Sequence, residues 1–254
     1  MFGGFSTSSA SAAGSATSTF SSAASVNQAR ALHGGHQALG IAGRLPVAML
    51  GTHRGAANYD RDARPGDVFI QIAPGGFIGH CNIISPDRTY KIDSMDPDGV
   101  RKVRLSSDRK PAIVFRFFDR DVALRAANLA LGWAPERDYH PILNPEPEAR
   151  VQYSNGAIGL GVTARVVHNI MGSSKFGKGA QGRLLKYRGR ANMSPKNMIC
   201  SELCVLAFQL AMPEGAPGFP MLDAKHTSPI ILYNYLTGPG QAHWKVVGQR
   251  NING

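Results

Sequence analysis

Two of the three cysteines in this 254-residue chain, Cys200 and Cys204, stand four positions apart in "MICSELC". The run continues into the apolar "VLAFQL", so both side chains fall on one face of a helix that starts close to Cys200. In the first turn of a helix a thiol lies over unpaired backbone N–H groups at the positive end of the helix dipole. That environment favours the nucleophilic thiolate. Cys204, one turn further in and beside Leu203 and Phe208, reads as a small core residue. A base for Cys200 is present in "IGHCNII", where strand alternation sends His80 and Asn82 to one face and Cys81 and Ile83 to the other. Asp93, in "YKIDSM" on the next strand, can orient that imidazole as the third member of a triad, and Asn82 is a rival for the same role.

Two other motifs fail on their chemistry. "GSSKFGKG" approaches the phosphate-binding pattern G-x-x-x-x-G-K-[ST], but its last position is Gly179, so the hydroxyl that would hold magnesium is missing. The eight histidines, among them His33, His36, His80, His140, His168, His226 and His243, are dispersed without paired-ligand spacing, which argues against zinc. Thiol chemistry of the kind outlined above needs no metal and no organic cofactor.

The elements that must position these residues are legible as an α+β pattern. After the turn at Pro65-Gly66-Asp67, "VFIQIA", "GGFIGHCNIIS", "TYKIDSM", "VRKVRL" and "PAIVFRFF" read as five strands. Asp119 offers an N-cap for a helix over "RDVALRAANLALGWA". Residues 135–150 read as a loop, and "GVTARVVHNIM" as a further helix. Residues 173–196, with seven Lys or Arg and no acid, read as a basic loop. A helix over 198–212, then "SPIILYNYLT" and a strand at "HWKVVG", close the chain.

A formal charge of +11, from 28 Lys and Arg against 17 Asp and Glu, favours anionic partners such as envelope polymers, phospholipid head groups or nucleic acid. An odd, small number of cysteines argues against a disulfide scaffold and leaves at least one free thiol expected. No apolar run approaches the roughly 18 residues of a membrane span, so the chain is expected to be soluble. Residues 1–25 are almost entirely Ser, Thr, Ala and Gly, and the first charged side chain is Arg30. Such composition predicts a low-complexity, partly disordered segment over 1–59, ahead of a folded domain over 60–254. The segment lacks the basic and apolar regions of a Sec signal. It is either a flexible tail or a docking segment for a specialised export machine.

Taken in order, "RPGDVF", "GHCNII", "YKIDSM", "ICSELC" and "SPIILYNYL" resemble the circularly permuted branch of the NlpC-type papain-like cysteine hydrolase superfamily. The resemblance covers about residues 60–240 in short pieces, and departs from the usual pattern at Cys81-Asn82 and in the long basic stretch before Cys200. It implies an antiparallel sheet packed on a nucleophile-bearing helix, with Cys200, His80 and Asp93 catalytic. It also implies hydrolysis of an amide bond, with peptidoglycan stem peptides as the foremost substrate, and admits lipid acyltransferases and phospholipases of the same fold. Asn82, Lys186, Arg188 and Arg190 are the candidate substrate-binding residues. A wall hydrolase without a Sec signal would be an effector acting in the envelope of a target cell, with a secretion-system component and an immunity protein as partners. Cytoplasmic action is the alternative localisation. A non-catalytic basic binding module is the remaining reading, with nucleic acid the less favoured ligand.

Overall fold

The computed structural model describes residues 62–73, 77–95, 98–107, 110–136, 151–153, 175–190, 193 and 195–250. These belong to one compact unit, Gly43–Gly254. The expected tail, its boundary near residue 59, most of the loop over 135–150 and the helix at "GVTARVVHNIM" lie outside the described residues.

The architecture is α+β. Its centre is a six-stranded antiparallel sheet, with strands β1 (Val68–Ala73), β2 (Phe77–Ile84), β3 (Tyr90–Met95), β4 (Gly99–Arg104), β5 (Ala112–Phe117) and β8 (Trp244–Arg250). Their order is β4-β3-β2-β1-β5-β8. The five expected strands and the final one are all present. A separate parallel pair joins β6 (Gln152–Tyr153) to β7 (Asn197–Met198).

Both faces of the sheet are covered, which is why its strands carry apolar residues at successive positions as well as at alternate ones. Val68, Ile70, Cys81, Ile83, Ile92, Ile113 and Phe115 join the main core on the helical side, and Phe69, Ile84 and Val114 form a second cluster with Ala63, Leu105 and Ala112. Helix α1 (Arg120–Trp133) starts where expected, because the Asp119 carboxylate accepts the N–H groups of Asp121 and Val122. Its small face of Ala123, Ala126, Ala127 and Ala130 allows close packing on α3 (Cys200–Ala211).

Gly66 marks one such close approach. Its φ is +78°, and a Cβ there would stand 2.3 Å from the carbonyl oxygen of Ala123. Left-handed strain and overpacking then act together, so Gly66→Ala is expected to lose roughly 2–5 kcal/mol of stability. A urea melt checks this, and a midpoint within error of the parent protein contradicts it.

The expectation of a loop over 173–196 is corrected. Residues Lys178–Arg188 form helix α2, with Gly177 as N-cap and the Gly189 N–H bonded to the Leu185 carbonyl. Glycines at 177, 179 and 182 and a surplus of like charge argue against a helix locally. Ala180 and Leu184, four apart and both buried, supply the tertiary packing that overrides this. The helix expected over 198–212 also starts later, since Asn197 and Met198 are strand. "SPIILYNYLT" is helix α4 (Pro229–Thr237), capped by Ser228 with Pro229 in its first turn. No helix among the described residues is long and apolar enough to cross a membrane.

Candidate functional site

Every residue of α3 is buried, including Ser201, Glu202 and Gln209. A helix apolar on all sides can occupy the centre of a domain only if its polar groups are answered locally. Ser201 donates to the Thr227 carbonyl, and Gln209 donates to the carbonyls of Pro220 and Leu222 at 2.8 and 2.7 Å. Glu202 accepts the Ile199 N–H, the backward arm of a capping box. Burial nevertheless pushes the Glu202 carboxyl up to about 7. At the far end, Arg125 donates to the Ala211 carbonyl at 2.9 Å, and Arg188 reaches the carbonyls of Gln209 and Met212 at 2.9 and 2.6 Å. The helix is thus held at both termini, and its first residue is Cys200.

Strand β3 fixes that first turn. The Ser94 hydroxyl donates to the Met198 carbonyl at 2.7 Å, two residues before Cys200. The neighbouring Asp93 faces His80, with Oδ2 3.0 Å from the imidazole Nε2. His80 stands beside a bulge: the β1–β2 pairing passes from Gln71↔His80 to Ile72↔Ile78, leaving Gly79 as the extra residue. Bulges bend a strand and re-aim the side chain next to them. His80 also stands near enough to Cys200 for each to shift the other's pKa. The side chains of His80 and Asp93 are 13% and 1% exposed.

The electrostatics of the three groups are mutually reinforcing. Burial alone would lower the His80 pKa. The negative charge on Cys200, the hydrogen bond to Asp93 and the one to Cys200 overcome this and raise it to about 10. Asp93 is held well below the usual carboxylate range. Burial opposes that, but the His80 hydrogen bond and charge, then Arg101 and Lys91, prevail. Arg101 Nε donates to Asp93 Oδ1 at 2.8 Å, and Lys91 Nζ stands 3.9 Å from Oδ2. Cys200 is pulled well below an ordinary thiol, first by a hydrogen bond from the Cys81 thiol, then by the charge and hydrogen bond of His80, with burial opposing. The arrangement sets a buried thiol with a lowered pKa beside an imidazole with a raised one, and a carboxylate bonds to that imidazole.

Three residues in this arrangement escaped the sequence reading: Cys81, Ser94 and Arg101. Cys81, fully buried beside His80, is the first cause of the lowered Cys200 pKa. The only sequence signal was its departure from the small or apolar residue usual at that place. Cys81 also meets Cys204, and all three cysteines are free thiols. We expect Cys81→Ala to move the Cys200 thiolate titration upward, and Cys81→Ser, which keeps a donor, to restore it at least in part. Alkylation rates against pH read this out, and identical profiles for alanine and the parent would remove Cys81 from the site.

The Asn82 side chain makes no hydrogen bond to His80. Its side chain is 1% exposed, and neither its amide oxygen nor its nitrogen has a hydrogen-bond partner among the described residues. A buried amide left unpaired costs stability, so the near-isosteric Asn82→Leu is expected to be neutral or to stabilise by up to about 2 kcal/mol. A denaturant midpoint measures the effect, and a marked loss would mean the amide is satisfied in solution. Cys204 is 1% exposed and belongs to the main core, as its place beside Leu203 and Phe208 led us to expect. Among the candidate substrate contacts, Lys186 is exposed, Arg190 lies over the Tyr187 ring at 5.3 Å, and Arg188 holds the end of α3. No family model, curated protein or solved structure matches this chain, and the chemistry assigned to it stands on the geometry of Cys200, His80 and Asp93.

Proposed function

We propose that the protein is a cysteine hydrolase of the permuted NlpC, papain-like type, cleaving an amide bond. The observation that carries this is the Asp93–His80 hydrogen bond, together with the mutual pKa influence of His80 and a thiol at the first residue of a helix. Structural cysteines lack such a chain, because a buried thiol without a base is inert. In the first half-reaction the Cys200 thiolate attacks the carbonyl carbon, and the oxyanion that forms is held by backbone N–H at the start of α3. His80 gives its proton to the leaving amine, and a thioester to Cys200 remains. In the second half-reaction His80 takes a proton from water, hydroxide displaces the thiolate, and the carboxylic acid departs. Cys200 is only 6% exposed, so the acyl group must approach through a narrow opening.

Peptidoglycan stem peptides are the substrate class we favour, with the target-cell envelope as the place of action. A second reading, transfer or hydrolysis of a lipid acyl group by the same thiol, is supported by the outer side of α2. There Leu185 is 56% exposed between Lys186 and Lys178, an apolar and cationic surface suited to phospholipid. Incubation with peptidoglycan fragments and, separately, with phospholipid vesicles, followed by mass spectrometry, decides between them. New amine and carboxyl termini support the amidase, and lysolipid or acyl transfer supports the second reading. Absence of both, with the Cys200 thiolate shown to be reactive, overturns the hydrolase.

A further inference from the structure

At the opposite end of β1 from His80, the chain forms a second concave site unrelated to the thiol. The turn before β1, the end of β5, the first turn of α1 and the start of β8 enclose a cleft of about 280 Å³. This lies near the lower end of the range for small-molecule sites, roughly 300–1,000 Å³. Its lining is strongly basic: Arg64, Arg116, Arg120 and Lys245 against a single acid, Asp67. That acid is already neutralised, since Arg116 grips both its oxygens at 2.9 and 2.8 Å and the Arg64 N–H donates to it at 2.9 Å. The cations of Arg64, Arg120 and Lys245 make no ion pair with any described residue, and all three residues are exposed. Convergence of uncompensated positive charge in a concavity raises the local concentration of anions. The Asp119 carboxylate already takes the N–H groups of Asp121 and Val122 at the start of α1, so the side chains are the main donors to the cleft.

One wall of the cleft is aromatic. Phe118 is 58% exposed, and its ring stands 5.1 Å from the His243 ring and 4.9 Å from Phe117. An aromatic ring fixed by two neighbours yet open to solvent offers a flat surface for stacking. Trp244, which also lines the cleft, has a buried indole N–H without an acceptor. The lining therefore presents donors and a flat apolar face, with its only carboxylate already engaged.

We propose that this cleft binds a small phosphorylated ligand carrying a flat ring, its phosphate held by Arg64, Arg120 and Lys245 and its ring stacked on Phe118. Three converging cations match a dianionic phosphate better than a single carboxylate, and arginine donors pair with phosphate oxygens in planar, bidentate fashion. The site is independent of Cys200, so its occupancy and the thiol chemistry are separable.

The test uses the full chain and three probes: phenyl phosphate, inorganic phosphate and phenol, followed by calorimetry at low salt. Phenyl phosphate is expected to bind, with inorganic phosphate weaker and phenol undetectable. Arg120→Ala and Lys245→Ala should each weaken phenyl phosphate on the order of 10-fold, since each removes one charge-assisted contact. Phe118→Ala should bring phenyl phosphate down to the affinity of inorganic phosphate. Lys186→Glu, on α2 and outside the cleft, controls for the overall field. An equal loss in that variant would overturn the proposal, as would no binding of phenyl phosphate at millimolar concentration. Vesicles of phosphatidylglycerol form a further arm: attachment that depends on Arg120 and Lys245, without phenyl phosphate binding, would replace the small ligand with a lipid surface.

Discussion

Cys200→Ala is expected to abolish turnover on any substrate while leaving the fold intact. The substitution removes one sulfur from a site at the helix start, where the lost volume is small and Asp93 remains bonded to His80. Its stability cost should stay near 1 kcal/mol, the scale of deleting one small buried group. Cys204→Ala deletes the same atom deeper in the core and should cost stability without costing rate. His80→Ala should be nearly as damaging to rate as Cys200→Ala, because it removes both the proton carrier and the charge that holds the thiolate. Turnover by purified Cys200→Ala protein at the parent rate would sink the mechanism whatever the substrate proves to be.

The same ion pair sets a pH signature. The His80 pKa is raised to about 10, so the imidazolium persists through neutral pH and is lost only as pH rises through that value. The stability it contributes is fully present below the ordinary histidine pKa near 6.5 and disappears across the window up to about 10. Cys200 is shifted the other way: its contribution is present above the ordinary thiol range and is lost as pH falls through its depressed value. Activity that needs thiolate and imidazolium together should therefore form a plateau bounded on the alkaline side near pH 10. An alkaline limb near pH 6.5 would show that the imidazolium is not stabilised.

How much of this was readable without coordinates depends on the range of the forces involved. The strands, the Asp119 cap and the Ser228-Pro229 helix start were legible because alternation and capping are local. Helix α2 was not, because the burial of Ala180 and Leu184 that stabilises it comes from the fold and not from its own glycine-bearing sequence. At the site, Cys200, His80 and Asp93 announced themselves by type and order, but the choice between Asp93 and Asn82 could not be made by counting residues. It depends on how β2 turns at the Gly79 bulge and on which neighbour reaches Nε2. Cys81 was read as a residue of the opposite face, and it does join the core there with Ile83. Its thiol nonetheless meets Cys200, because α3 packs on that same face of β2.

Asp93 carries the second large effect, and it has two roles that substitutions can separate. It accepts from His80 and from Arg101 and stands near Lys91, all within the buried side of β3. Removing its charge weakens the imidazolium and also strands cations that the carboxylate compensates. Breaking a buried pair from one side costs roughly 3–5 kcal/mol, and the remaining bond from Arg101 to Asp98 places this case toward the lower end. Asp93→Asn should therefore lower the unfolding midpoint. It should also cut kcat/KM on the order of 10- to 1000-fold, a partial loss because a thiol needs less help from a third residue than a hydroxyl does. With the carboxylate neutralised, the His80 pKa falls from its raised value and the Cys200 thiolate titration moves upward. Arg101→Met supplies the contrast: it keeps the carboxylate on His80 and removes a cation, so it should destabilise the fold while most activity survives. A purely structural Asp93 would give the two variants the same ratio of lost rate to lost stability. Iodoacetamide alkylation followed against pH then decides the orienting residue. An unshifted thiolate profile in Asp93→Asn beside a shifted one in Asn82→Ala would transfer the role to Asn82, and the triad would be Cys200, His80 and Asn82.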